Sequence, residues 1–230
     1  MIINGGTRKK EFVELLNNQV FDDLTSHLKN FIKTMFPDVK DNDVILCKKF
    51  HGRNINFLIT INDITKTVSV KTGNTSVVYK DYVYKFMVNL LIINASPSTS
   101  YSIIKYHRGY AQGSTFKSLG SLLKEDFQKE IEIVRNEFNN PELLARFIDH
   151  FLIEDKAGKK VDYFYYGNVQ YGLFSSAEEI KERMINHKDN YPHDFMRIGP
   201  FSFLPVDRNI KTGDNTLCQL RVNNFSKFFK

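Results

Sequence analysis

The stretch from Ile55 to Lys71 reads INFLITINDITKTVSVK and decides the fold that we expect. Apolar and polar residues alternate on both sides of Asn62-Asp63, a dipeptide typical of tight turns, so the pattern predicts a β-hairpin. Successive side chains of a strand point to opposite faces. Asn56 is therefore expected off the apolar face of the first strand, and Ser69 and Lys71 off that of the second. The sequence predicts a hairpin with a polar edge.

Length and composition favour an ordinary globular protein. With 230 residues, of which 42% are hydrophobic and 25% charged, the chain is long enough for one sizeable core. The longest apolar run, Phe86 to Ala95, contains Asn89 and Asn94 and is shorter than the ~20 apolar residues of a membrane-spanning helix. No basic segment followed by an apolar one opens the sequence. We therefore expect no signal peptide, no membrane partner and a cytoplasmic location.

The basic residues point to a polyanionic partner. The formal net charge is +6, the isoelectric point is near 9.1, and the lysines and arginines occur in clusters. This balance favours nucleic acid, although many basic proteins bind nothing acidic. The candidate nucleic-acid contacts are Arg8, Lys9, Lys10, Lys105, Arg108, Arg197, Arg208 and Arg221.

The first half of the chain is expected to form an α/β core. Thr7 can cap a helix over residues 8–35, and a short strand at 44–47 leads into the hairpin. A helix over 80–93 and a strand over 101–106 follow, and a loop with Gly109 comes next. This order predicts a mixed sheet flanked by helices.

The second half is expected to add helices and then strands. Apolar spacing predicts a helix over 119–139, and Asn140-Pro141 opens a second helix through residue 152. Strands at 161–166 and 170–174, a capping box at Ser176 and Glu179, and extended segments near 201–204 and 217–222 follow. We expect one compact domain, residues 1–230, with a core at 1–110 followed by a helical pair and a β-rich elaboration at 111–230.

The polar edge of the hairpin resembles a known nuclease motif. Ser69-Val70-Lys71, Gly73 and the downstream Asp81 are similar to the PD-(D/E)XK restriction-endonuclease-like superfamily, in its Ser-X-Lys variant. In that variant Ser replaces the acidic residue before Lys, and a carboxylate on the following helix takes over its metal. The resemblance implies a mixed α/β (α+β) fold and Mg²⁺, with Mn²⁺ as a substitute. It also implies that Lys71 orients the attacking water or offsets phosphate charge.

Three further positions follow from the resemblance. Asn56 stands where the family carries a metal-binding Asp, and an amide offers a carbonyl but no charge. Asp81, expected in the first turn of the next helix, and Glu11, in the N-terminal helix, match the remaining acidic ligands. The expected metal set is therefore Asp81, Glu11 and position 56. Taken singly, each has an ordinary alternative: a solvated charge, an acid at a helix start, or a polar sheet face.

These expectations define two functions. The first is a Mg²⁺-dependent type II endonuclease that hydrolyses double-stranded DNA, with the C-terminal half reading the DNA and a homodimer among the expected assemblies. In this case Asn56 replaces a catalytic Asp and weakens or silences the site. The second is an inactive module of the same fold that binds nucleic acid or another protein.

Overall fold

The computed structural model describes residues 5–73, 75–112, 127–155, 158–187, 195–206 and 217–229. The chain divides into two compact units. The first unit comprises residues 1–74, 153–180 and 224–230, and the second comprises residues 75–152 and 181–223. Each unit is assembled from segments that are distant in sequence, so these boundaries do not follow the division at residue 110 that the order of elements predicts.

Helices and strands occur in groups along the described chain. The helices are α1 Gly5–Leu16, α2 Ser26–Met35, α3 Val83–Ile92, α4 Pro97–Gln112, α5 Gln128–Phe138, α6 Pro141–Ile148 and α7 Ala177–Ile185. The strands are β1 Gln19–Val20, β2 Val44–Lys49, β3 Phe57–Ile61, β4 Ile64–Lys71, β5 Thr75–Tyr82, β6 Tyr163–Tyr166, β7 Leu173–Ser176, β8 Arg197–Ile198, β9 Phe201–Val206 and β10 Leu217–Asn223. Within the described part of the chain, no helix is long and apolar enough to cross a membrane.

The first unit contains a six-stranded mixed sheet, in the order β1-β2-β3-β4-β6-β7. Strands β4 and β6 are parallel, and the other neighbouring pairs are antiparallel. The predicted hairpin is confirmed as β3 and β4. Asn62 and Asp63 both have positive φ, 47° and 67°, as a two-residue type I′ turn requires.

One face of this sheet carries the core of the first unit. Phe57, Ile59, Val68 and Val70 belong to a buried cluster with residues of α1 and α2. The ring of Phe12 on α1 lies 5.3 Å from that of Phe57, centroid to centroid. Alternation then places Ser69 and Lys71 on the opposite face. That face is partly covered by a C-terminal 3-10 helix, Phe225–Phe229, whose aromatic rings contact those of β6.

The single helix predicted over residues 8–35 is wrong, because it is two helices. Asn17 and Asn18 end α1, and Asn18 takes a left-handed conformation with φ 60°. The backbone N–H of Cys47 donates to Asn17 Oδ1 at 3.0 Å, and the N–H of Asn18 donates to the carbonyl of Ile45 at 2.8 Å. The pair therefore turns the chain so that β1 can join β2. The helical spacing of the apolar residues continues across the break between α1 and α2, so the sequence pattern does not reveal it.

The second unit contains a four-stranded antiparallel sheet, in the order β5-β10-β9-β8. The extended C-terminal segments are confirmed as β9 and β10. Among the described strands, β9 pairs at Pro205 with β10 alone, because β8 reaches no farther than the partners of Phe201 and Ser202. A proline is tolerated at such an edge, since it offers no N–H to a further strand.

In the second unit one predicted helix is confirmed with a later start, and one predicted strand is wrong. Residues 80–82 belong to β5, which pairs with β10, so the helix expected to start near residue 80 starts at Val83. The strand expected over 101–106, with the loop after it, is helix α4, which has Pro97 at its first position. Ile103, Tyr106 and His107 are buried, and this spacing of three and four residues is helical.

The predicted helical pair is confirmed as α5 and α6, although the segment 119–126 lies outside the described residues. The Asn140 side chain accepts from the backbone N–H groups of Glu142 and Leu143 at 2.9 and 3.2 Å, which caps α6. The capping box is also confirmed. Ser176 Oγ accepts from the N–H of Glu179 at 3.2 Å, and the Glu179 carboxylate accepts from the N–H of Ser176 at 3.0 Å.

Candidate functional site

The hairpin brings Asn56 and Ser69 together across two strands. The last pair of the β3–β4 ladder is Phe57 with Val68, and the backbone N–H of Asn56 continues it by donating to the Val68 carbonyl at 2.8 Å. Asn56 Oδ1 accepts from the N–H of Val70 at 2.6 Å. The side chain of Asn56 is therefore hydrogen-bonded to β4 beside Ser69.

Ser69 is fully buried, and its hydroxyl is unpaired. Its residue exposure is 0%, and Oγ has no hydrogen-bond partner among the described residues. Buried hydroxyls nearly always have a partner, because leaving one unpaired costs about 1–3 kcal/mol. Ser69 is therefore held in this place at a cost in stability.

Lys71 ends β4 on the same face as Ser69. Its Nζ lies 6.0 Å from the centroid of the Phe164 ring, within the range of a cation–π contact. The Lys71 carbonyl accepts from the N–H of Gly167 at 3.1 Å, and the Tyr166 hydroxyl donates to the carbonyl of Gly73 at 2.9 Å. Strand β6 therefore fixes the end of β4 from which the lysine side chain extends.

Glu11 lies on α1, which packs on the other face of the sheet. The neighbouring Phe12 ring is 4.6 Å from that of Tyr165, which belongs to the core cluster. Burial raises the pKa of Tyr165, and the negative charge of Glu11 adds to this rise. Ser69 and Tyr165 point to opposite faces of the sheet, so helix α1, which carries Glu11, lies on the side of the sheet away from Ser69.

Asp81 lies in β5 and not in the first turn of a helix, so its predicted position is wrong. It pairs with Cys218 in the sheet of the second unit. Its carboxylate accepts from the N–H of Tyr82 at 2.8 Å and lies 3.1 Å from Lys85 Nζ. These contacts raise the pKa of Lys85, with the hydrogen bond to Asp81 as the largest cause.

The hairpin residues do not fit a Mg²⁺ ion. They supply a neutral amide, a neutral hydroxyl and a cation, whereas Mg²⁺ is bound in proteins through carboxylate oxygens. Across the described ranges, no group of three or more His, Cys, Asp or Glu residues lies close enough to hold a metal. Asn56, Ser69 and Lys71 thus share one face, but the charge expected at position 56 is missing.

Two aspartates that sequence reasoning missed support the hairpin. Asp155, only 7% exposed, accepts from the backbone N–H groups of Asn54 and Ile55 at 2.9 and 3.3 Å. Asp162 accepts from the N–H of Thr67 at 2.7 Å and from its hydroxyl at 3.0 Å. Both come from a segment distant in sequence, so no local pattern indicates their roles. They hold the chain segments from which Asn56 and Ser69 extend.

The predicted basic contacts lie on several elements. Arg8 and Lys9 are on α1. The adjacent Lys10 is exposed, and its Nζ lies 3.2 Å from Glu14 Oε1. Lys105 and Arg108 lie one turn apart on α4, and Lys105 pairs with the buried Glu130. Together with Tyr101 they line a depression of about 380 Å³.

Arg197 and Arg221 lie in one row of the second sheet. Both pair with Ser202 of β9, from β8 and β10 respectively. Arg221 Nε donates to Gln219 Oε1 at 2.9 Å, and Asn223 donates from Nδ2 to Ser202 Oγ at 3.4 Å. Guanidinium and amide groups read base edges, so Asn223 is an additional candidate, whereas Gln219 is only 7% exposed. The alternation in 217–222 continues to Asn223 and could have indicated it. Arg208 lies outside the described residues.

Comparison with known proteins supports the fold. No family model matches the sequence, and a search of curated proteins gave no match. Among solved structures, the chain is similar to the restriction endonuclease MspI, determined in complex with its cognate DNA. The TM-score is 0.58, the sequence identity is 8%, and the match covers 94% of this chain and 88% of that one. The fold is therefore restriction-endonuclease-like, as the hairpin motif predicts.

Proposed function

We propose that this chain is a DNA endonuclease of the restriction type for double-stranded DNA, in which Asn56 weakens or abolishes cutting. The observation that carries the proposal is the hairpin. It brings position 56, Ser69 and Lys71 onto one face of a mixed sheet whose fold resembles that of a restriction endonuclease. That neighbour was determined with its DNA, and the net charge of +6 suits the same class of partner.

In this proposal each residue has a task that its environment permits. Lys71 binds the phosphate at the bond to be cut, and its ammonium offsets the charge that develops there. Ser69 lies two positions before Lys71 on the same face, and its buried hydroxyl has no hydrogen-bond partner in the part of the chain that the structure describes. Arg197 and Arg221 contact base edges, and the lysines and arginines of α1 and α4 contact phosphates. These lysine and arginine side chains can bind DNA without a metal ion, so DNA binding requires no change at position 56.

Cleavage requires a charge that Asn56 does not supply. In an Asn56→Asp variant, one carboxylate oxygen can still accept from the N–H of Val70, while the second adds a negative charge beside Ser69. The substitution therefore preserves the local hydrogen bond and supplies the oxygen ligand that Mg²⁺ or Mn²⁺ prefers. We propose that the chain with Asn56 cuts weakly or not at all, and that Asn56→Asp restores metal-dependent cutting.

The test compares plasmid and oligonucleotide cleavage with Mg²⁺ or Mn²⁺ for the unaltered chain, Asn56→Asp, and Asn56→Asp with Lys71→Ala. We expect cutting by Asn56→Asp at a rate at least tenfold above that of the unaltered chain, and loss of this activity in the double variant. An Asn56→Asp protein that is folded, binds DNA and remains inert with both metals would refute the endonuclease.

A second function is favoured by the hydrogen bond from Val70 to Asn56, which gives the amide a structural role without any metal. In this case the chain binds double-stranded DNA and does not cut it. Affinity measured by fluorescence anisotropy should then fall steeply with salt, because phosphate contacts release counterions. Salt-independent binding, or no binding, would refute this second function.

A further inference from the structure

Helix α4 exposes aromatic and basic side chains on one side. Tyr101, Lys105 and Arg108 follow one another at intervals of four and three positions, so they form a single stripe along the helix. Tyr101 is 67% exposed, and Lys105 and Arg108 are also exposed. The stripe therefore combines an aromatic ring with two cations on a surface that a ligand can reach.

The depression beside this stripe, here called the α4 depression, is also lined by Phe127. Its volume of about 380 Å³ lies within the roughly 300–1,000 Å³ of small-molecule sites. The Phe127 ring contacts that of Tyr106 edge-on, with centroids 5.6 Å apart. A Cβ atom on Gly109 would lie 2.0 Å from Phe127 Cζ, so the ring lies against the helix backbone only because residue 109 is glycine. The lining of the depression therefore depends on a residue that is otherwise unfavourable within a helix.

Arg108 is the cation that the α4 depression offers to an anion. Lys105 pairs with the carboxylate of Glu130, a residue only 5% exposed, so the charge of this lysine is already offset within the chain. Arg108 is exposed and has no ion-pair partner among the described residues. A guanidinium donates two parallel hydrogen bonds to a phosphate. A phosphate therefore fits this end of the stripe.

The exposed Tyr101 ring narrows the class of ligand further. A nucleotide carries both a flat base, which stacks on an aromatic ring whatever its identity, and a phosphate for Arg108. Bases in a double helix stack on one another, so an unpaired nucleotide is the form that offers its face to a tyrosine. An acidic peptide would use Arg108 and leave the tyrosine ring without a comparable partner.

We propose that the α4 depression binds one unpaired nucleotide of a nucleic-acid strand, with its base against Tyr101 and its phosphate on Arg108. The depression belongs to the second unit, whereas Ser69 and Lys71 belong to the first. Binding of this nucleotide requires neither a metal nor cleavage. The site therefore goes beyond the proposed endonuclease, which acts on paired DNA.

The first test measures binding of a fluorescein-labelled oligodeoxythymidine strand to the full chain by fluorescence anisotropy. Tyr101→Ala should weaken binding roughly 5- to 100-fold, the range expected when a stacked aromatic residue is removed. Tyr101→Phe keeps the ring and should bind as the unaltered chain does. Tyr171→Ala is the matched control, because Tyr171 is 81% exposed but lies in the first unit, and it should leave the affinity unchanged.

An abasic strand of the same length separates stacking from a structural role of Tyr101. This strand carries the same phosphates and no bases, so Tyr101→Ala should leave its affinity unchanged. Arg108→Ala should weaken the binding of both strands. It should also lower the slope of log affinity against log salt by about 0.7, the value for one phosphate contact in a single strand. Equal losses of affinity for both strands in Tyr101→Ala would overturn the proposal.

The second test locates the base on the protein. On irradiation, a strand that contains iododeoxyuridine forms a covalent link to an aromatic residue stacked on it, and peptide mapping identifies that residue. We expect the link at Tyr101, and its loss in Tyr101→Ala. Thymidine monophosphate should compete only at far higher concentration, because it lacks the further contacts of a strand. A link at other residues alone, no binding of the strand, or thymidine monophosphate that binds as tightly as the strand would each refute the proposed site.

Discussion

Replacing Ser69 by alanine should stabilise the protein. The Ser69 hydroxyl is fully buried without a partner among the described residues, which costs about 1–3 kcal/mol. A methyl group in the same place carries no such cost, although the lost oxygen leaves a small void. We expect the free energy of unfolding to rise by about 1 kcal/mol, measured by urea denaturation with an unchanged dependence on denaturant.

Ser175 provides a matched control in the same cross-strand row. Phe164 of β6 pairs with Ser69 on one side and with Ser175 on the other. Ser175 is also buried, at 4% exposure, but its hydroxyl donates to the Glu179 carboxylate. Removing a hydrogen bond to a charged group costs about 1.5–3 kcal/mol, so Ser175→Ala should destabilise the protein.

The two serine-to-alanine substitutions should therefore change the free energy of unfolding in opposite directions. Destabilisation of 1 kcal/mol or more by Ser69→Ala would refute the reasoning, because it would show that the hydroxyl is paired in the folded protein. If Ser69 also serves the proposed site, adding Ser69→Ala to Asn56→Asp should lower cleavage while stability rises. A residue kept at a cost in stability is typical of functional sites.

Two further predictions concern Arg221 and His107. Arg221→Ala should weaken DNA binding by about 1–3 kcal/mol, measured by fluorescence anisotropy. Arg221→Lys should not fully restore the affinity, because lysine lacks the planar fork of arginine. Equal DNA affinities of the unaltered chain and the two variants would contradict a base contact. Burial lowers the pKa of His107 below 6.5, and the hydrogen bond between His107 and the Leu217 carbonyl raises it in part. Only the unfolded chain then takes up this proton just below pH 6.5, so stability should fall as the pH drops below that value. His107→Gln should flatten this fall in urea unfolding at pH 7.5 and 5.5, and an unchanged slope would contradict it.

The hairpin was predictable because its determinants are local. Apolar residues at the alternate positions 55, 57, 59 and 61 before Asn62-Asp63, and at 68 and 70 after it, favour one register, and that register brings Asn56 beside Ser69. The caps at Asn140 and Ser176 were predictable for the same reason, since each uses residues within three positions. The resemblance to restriction endonucleases depends on the hairpin with Ser69 and Lys71, and the comparison with solved structures agrees with the fold that this resemblance implies. The metal ligands and the roles assigned to the site residues stay predictions.

Three features required the tertiary structure. The break at Asn17-Asn18 depends on partners in β2, and the extension of β5 to Asp81 depends on pairing with β10, far along the chain. Helix α4 has the short apolar run of a strand, and only its packing shows which period applies.

The polar support of the site was equally hidden in the sequence. Asp155 and Asp162 stabilise the hairpin through hydrogen bonds that span about a hundred positions, and their neighbours in sequence give no sign of it. The sequence by itself determined the hairpin and the places of Asn56, Ser69 and Lys71 on it, because strand alternation is a property of neighbouring residues. Only the tertiary structure decided that Ser69 is buried with no hydrogen-bond partner among the described residues, and that α3 keeps an exposed apolar face. Burial depends on what the rest of the chain places against a residue.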